Sequence, residues 1–106
     1  MDINQVMQHA QHFQKRMAEI QDELAGQKIT VTVGGGMVTV TVNGKSELLS
    51  IAIDREVINP EEQTLLEDLI VAGVNDAMRK AREAMQNEMR HLTGGFNIPG
   101  MSGMFS

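Results

Sequence analysis

His9 and His12 stand three residues apart, a spacing that on a helix would let two imidazoles share a metal ion. The acidic residues nearest to them are Asp2 and Glu19, and the chain has no cysteine, so the donor set falls short of a metal site. His91 is isolated. Glu67 and Asp68 are adjacent, so on a helix they would point in different directions and make a poor acid–base pair. No serine sits in a nucleophile elbow, and no serine–histidine–aspartate arrangement can be assembled. Gly34-Gly35-Gly36 would cradle a phosphate only between a strand and a helix. Strand-like sequence flanks it on both sides, which makes it a hairpin loop. The expectation is a protein that is not an enzyme, with no cofactor and no small-molecule substrate.

What remains is charge. Arg79, Lys80, Arg82 and Arg90 form a basic segment, and Lys15 and Arg16 add two cations near the other end of the chain. The formal net charge of −5 opposes a nucleic-acid partner, but it is unevenly spread. Residues 59–78 hold five acidic residues and no basic one, whereas residues 79–106 hold four basic and two acidic. The bland reading is a solvated helix face, with Asp76–Lys80 and Arg79–Glu83 as i,i+4 ion pairs. Spacing alone favours it. The sharper reading is a surface for DNA phosphates without base readout, since no short recognition helix or base-reading motif is present.

The elements that must position these residues are legible. Residues 29–42 read I-T-V-T-V, G-G-G, M-V-T-V-T-V, with apolar and hydroxyl side chains alternating at period two. That is the signature of strands with one buried face. Ile29, Val31 and Val33 form one row and Val38, Val40 and Val42 another. Asn43-Gly44 then signals a two-residue type I′ hairpin, with positive φ at both positions. Leu49, Ile51 and Ile53 continue in phase along a third strand, Glu47–Ile53. A three-stranded meander is too small to stand alone, so helices must cover it.

Upstream, Ile3, Val6, Ala10, Phe13, Met17, Ile20 and Leu24 recur at alternating spacings of three and four, which reads equally as a heptad seam or as one face of an ordinary amphipathic helix, ended by Gly26. Downstream, Asn59-Pro60-Glu61-Glu62 reads as an N-cap, a first-turn proline and a capping box. The helix it opens should run to about Leu92, on the order of 50 Å at 1.5 Å per residue. Its first half has a broad apolar face, Leu65, Leu66, Leu69, Ile70, Val74 and Ala77, suited to covering the sheet. Its second half narrows to Met78, Ala81, Met85 and Leu92, with Glu88 interrupting the row. That half should project past the sheet against the first helix. The expected organisation is one α+β domain, residues 1–93, followed by a flexible glycine- and methionine-rich tail, residues 94–106.

With three phenylalanines, no tryptophan or tyrosine, and nine methionines in 106 residues, a monomer would have a thin core, which favours oligomerisation. No apolar run is long enough for a membrane span, and M-D-I-N-Q-V lacks the basic-then-apolar start of a signal peptide. A cytoplasmic location is expected.

Taken whole, the chain resembles the YbaB/EbfC family of bacterial nucleoid-associated proteins. The resemblance rests on Met37-Val38-Thr39-Val40 after the glycine loop, Asn43-Gly44, and Ile51-Ala52-Ile53-Asp54. It continues through Leu65-Leu66-Glu67-Asp68-Leu69-Ile70, Ala72, Asn75-Asp76-Ala77, Gly94-Gly95 and Pro99-Gly100. It implies a homodimer joined through the sheet regions, with terminal helices projecting as two tweezer-like arms around double-stranded DNA. It also implies DNA contact by the first and last helices, here through Lys15, Arg16, Arg79, Lys80, Arg82 and Arg90. An alternative from a different class is a helical adaptor that binds a protein through its heptad seams and Met-rich tail.

Overall fold

The computed structural model describes residues 2–94, so the expected tail lies outside the described residues beyond Gly94. The element order is α1 (Ile3–Gly26), β1 (Lys28–Val33), β2 (Val38–Asn43), β3 (Leu48–Ile53) and α2 (Gln63–Gly94). This is the expected α-β-β-β-α arrangement. Two short 3-10 turns, Arg55–Val57 and Pro60–Glu62, separate β3 from α2.

The strands form one antiparallel sheet in the order β1-β2-β3. Their register places the two valine rows on the same face, with Val31 opposite Val40 and Ile29 opposite Val42. The threonines take the other face. There Thr30 and Thr41 bring their hydroxyls to 3.3 Å, and Thr32 and Thr39 to 3.4 Å. Cross-strand threonine pairs of this kind keep a polar face compatible with strand geometry.

Helix α2 lies on the valine face. Val31, Val38, Val40 and Val42 are buried with Ala77 and Ala81, flanked by Leu66, Leu69, Ile70, Val74 and Met78. The two alanines are fully buried because a bare methyl lets the helix backbone approach the sheet. Leu65, expected on this face, instead stays exposed. The fold is elongated: its radius of gyration is 19.8 Å, where a compact chain of this length would have about 13 Å.

Three local expectations need correction. The first concerns the turn after β2. Neither Asn43 nor Gly44 has a positive φ; Ser46 does, at 64°. Ser46 N–H donates to the Asn43 carbonyl at 3.1 Å and Asn43 N–H to the Glu47 carbonyl at 3.0 Å. The loop is thus a three-residue type I turn closed by a left-handed residue, rather than type I′.

Gly44 is glycine for a different reason, which is crowding. Its N–H donates to the Leu24 carbonyl at 2.8 Å, and a β-carbon there would lie 2.9 Å from that oxygen and 3.1 Å from the Leu24 α-carbon. Gly44→Ala is therefore expected to cost about 3 kcal/mol in urea denaturation, because backbone must give way. A parent-like midpoint would mean that α1 shifts freely at this contact.

The second correction is in β3. A bulge places Leu48 opposite Val42 and Ser50 opposite Thr41, so Leu49 is the extra residue and the strand starts at Leu48. The third is the start of α2. Asn59 does cap, accepting from Glu61 N–H at 3.1 Å. The turn it caps is 3-10, and the Asn59 N–H donates to the Val57 carbonyl instead of to a capping-box glutamate.

Candidate nucleic-acid interface

The turn between β2 and β3 fixes where α1 leaves the sheet. Asn43, 4% exposed, is the one buried polar side chain among the described residues. Its Nδ2 donates to the Ala25 carbonyl at 3.3 Å and to Glu47 Oε1 at 2.9 Å, while Oδ1 accepts from the Lys45 and Glu47 N–H groups, each at 3.0 Å. Leu24 and Ile20 are buried beside it. Sequence reading took Asn43 only as a turn residue and missed this role. Its partner Ala25 is 18 residues away in sequence, and no local pattern announces it.

Helix α2 passes the same end of the sheet, since Ala81 shares the core with Val42, and runs on to Gly94. Along this stretch Ala84, Met85, Glu88, Met89 and Leu92 are half-buried. The sheet has ended there, and α1 contacts α2. The two helices therefore run antiparallel beyond the sheet as one arm.

Helix phase decides which basic residues face outward. Taking Ala81 as the inward direction, Arg79 and Arg90 lie about 160–180° away, with Arg82 about 100° to one side and Lys80 about 100° to the other. All four are exposed. Between Arg79 and Arg90 the row spans about 16 Å. On α1 the two cations diverge. Arg16 lies about 40° from Ile20 and Lys15 about 140°, so Arg16 is half-buried on the inner side and Lys15 exposed on the outer. Both stand roughly 13 Å along the arm from the turn, near the level of Arg90.

The ion pairs differ from those expected. Arg79 pairs with Asp76, three residues back, and Arg16 with Glu19 at 2.6 Å. Neither Asp76–Lys80 nor Arg79–Glu83 forms. An arginine reaches i−3 or i+3 as readily as i+4, and spacing alone cannot choose between partners. Arg90 Nη1 donates to Asn87 Oδ1 at 3.4 Å. Lys15, Lys80 and Arg82 make no ion pair among the described residues. These exposed pairs are weak, so Arg79 and Arg16 can exchange a carboxylate for a phosphate at little cost.

The opposite end of the molecule is acidic. A cleft of about 330 Å³ between the glycine loop and the 3-10 turns is lined by Asp54, Glu56 and Glu62. Three carboxylates there exclude a phosphate, and Gly34, Gly35 and Gly36 are spent on three successive left-handed residues of the hairpin. Among the described residues no group of three or more His, Cys, Asp or Glu is placed to hold a metal. No described helix is long and apolar enough to cross a membrane. The net negative charge thus lies around the sheet, while along the arm six basic residues are balanced by six acidic ones, Asp2, Glu19, Asp22, Glu23, Glu83 and Glu88.

The chain is similar to known proteins. Residues 1–96 match the family described as the YbaB/EbfC DNA-binding family. The chain is 45% identical to nucleoid-associated protein DP1429 of Desulfotalea psychrophila over 106 residues, 100% of both chains. It is 45% identical over 100 residues to nucleoid-associated protein CA_C0126 of Clostridium acetobutylicum, covering 94% of this chain and 89% of that one. In three dimensions it is similar to uncharacterized protein HP0035 from Helicobacter pylori, with a TM-score of 0.80 and 24% identity. That similarity covers 87% of this chain and 97% of the other.

Proposed function

The chain belongs to the YbaB/EbfC DNA-binding family, and from that premise we propose that it binds double-stranded DNA as a homodimer in an architectural role at the nucleoid. The arms grip or bridge duplexes through phosphates, with limited sequence preference. The observation that carries this reading is the outward-facing basic row on the arm of a protein from a DNA-binding family. Arg79, Arg82 and Arg90 face outward on the arm, with Lys80 and Lys15 beside them, while the acidic sheet end repels the duplex and orients it toward the arms. Arg16 contributes after leaving Glu19.

A homodimer would carry a formal charge of about −10, twice that of the chain, so attraction must come from local basic surface and fall steeply with salt. The test is fluorescence anisotropy of a labelled duplex titrated at several salt concentrations. A slope of log K against log salt steeper than about −3 would correspond to several phosphates at −0.9 each. Absence of binding at low salt would sink the proposal and favour the helical adaptor.

Support for the dimer comes from β3. Among the described residues it pairs with β2 alone, and although Ile53 reaches the core it exposes Leu48, Leu49 and Ile51. An apolar, open edge strand is a template for pairing with a second chain. Ile51→Asp is expected to turn a dimer into a monomer in sedimentation velocity. A dimer that survives the substitution would place the interface elsewhere.

A further inference from the structure

We propose that Asn43-Gly44 is a deamidation site held shut by the docked end of α1, so that the chain is marked covalently when that end lifts away. Of the six asparagines in the sequence only Asn43 precedes a glycine. That neighbour matters because asparagine deamidates through attack by the next residue's backbone nitrogen, and glycine has no side chain to obstruct the approach. The Gly44 nitrogen gives its proton to solvent base and bonds to Asn43 Cγ. The Cγ–Nδ2 bond then breaks and releases ammonia. Water opens the resulting cyclic imide to aspartate, or to isoaspartate with the chain running through the side-chain carboxyl.

The fold engages each polar atom that this reaction uses. The Gly44 N–H donates to the Leu24 carbonyl at 2.8 Å, which holds the nucleophile's proton inside the structure. The leaving group Nδ2 donates to the Ala25 carbonyl and to Glu47 Oε1, while Oδ1 accepts from the Lys45 and Glu47 N–H groups. Asn43 and Gly44 are both buried, which keeps out base and water. Leu24 is the lid. A β-carbon at Gly44 would lie 2.8 Å from Leu24 Cδ2 and 2.9 Å from its carbonyl oxygen.

That lid belongs to a lightly held element. Of the 24 residues of α1 only Ile20 and Leu24 are buried, so the helix end detaches at lower cost than the valine core opens. Deamidation then opposes its return, because the new carboxylate faces the Ala25 carbonyl and the Glu47 carboxylate. This inference does not depend on DNA binding.

Peptide mass spectrometry on the full chain, held at mildly alkaline pH, reads the rate at Asn43. In urea sufficient to unfold the chain, that rate is expected to be at least about a hundredfold higher than in the native protein. Equal rates would overturn the proposal. Leu24→Ala should speed the native reaction at least about thirtyfold, and the milder Ile20→Val about threefold. Exchange of the Gly44 amide should rise by the same factors, since both reactions need the same opening. Faster Gly44 exchange with deamidation unmoved would remove α1 as the gate. Val31→Ala, which weakens the core away from α1, should speed deamidation far less for the same loss of urea midpoint. If it sped the reaction as much as Leu24→Ala, the site would open by global unfolding and the proposal would fall.

Discussion

Reversing Arg79, Lys80 and Arg82 together to glutamate is expected to lower affinity for duplex DNA about a hundredfold at low salt. Three charge-assisted phosphate contacts at about 1 kcal/mol each give roughly that factor. The salt slope should report how many arms engage. Losing three phosphates shifts it by about 2.7, and losing three on each of two arms by about 5.4. The variant must also keep its fold. All three positions are exposed and none packs on the sheet, so the urea midpoint should move little. The reversal at 79 puts a glutamate beside Asp76, a cost of a few tenths of a kcal/mol.

The three sites are not equivalent. Lys80 and Arg82 have no carboxylate to leave among the described residues, whereas Arg79 must part from Asp76, so Lys80→Gln and Arg82→Gln should each cost more than Arg79→Gln. A control lies at the acidic end, where Arg55→Glu alters charge by the same amount within the sheet region. If that control weakened binding as much as a reversal on α2, only the net charge would matter. The arm would then have no special part.

How much of this could be read in advance depended on the range of each interaction. The valine–threonine alternation is a local periodicity enforced by burial of one face and appears where spacing places it, whereas only Met17, Ile20 and Leu24 of the seven seam residues of α1 are drawn inward and the rest stay exposed. The glycine hairpin is also local, because three left-handed residues in succession admit little else. Gly44 shows the limit. Its identity reports contact with Leu24, twenty residues earlier, yet next to asparagine it imitates a type I′ turn. The bulge at Leu49 was hidden because Leu48 and Leu49 are both apolar, so either could continue the alternation.

The candidate site was legible in kind but not in arrangement. Arginine and lysine positions are plain in the sequence. Their directions follow only once Ala77 and Ala81 are known to face the sheet, which sets the phase of the whole distal half of α2. Arg16 and Lys15 look like one basic pair in sequence, and the burial of Ile20 separates them onto different faces.

Asn43 joins the fold to the site, and Asn43→Asp should expose that link. Only one orientation of the native amide satisfies all four partners, with Oδ1 toward the Lys45 and Glu47 N–H groups and Nδ2 toward the Ala25 carbonyl and the Glu47 carboxylate. Aspartate keeps the acceptor and so keeps the turn. It replaces the donor with a second oxygen that faces a carbonyl and a carboxylate, both of which repel it. The expected loss is about 3 kcal/mol, from two broken contacts and a like-charge pair in a buried site. For a domain of about 5–15 kcal/mol that is a large share. Adding Glu47→Gln to the Asn43→Asp protein should recover part of it by restoring a donor. Because the lost contacts hold the end of α1, amide exchange should rise across α1 more than across β2. The basic row on α2 is untouched, so any fall in DNA affinity would measure how far the arm depends on α1 standing beside it. An Asn43→Asp protein as stable as the parent would show that the Gly44–Leu24 hydrogen bond and the burial of Ile20 and Leu24 anchor α1 without the asparagine.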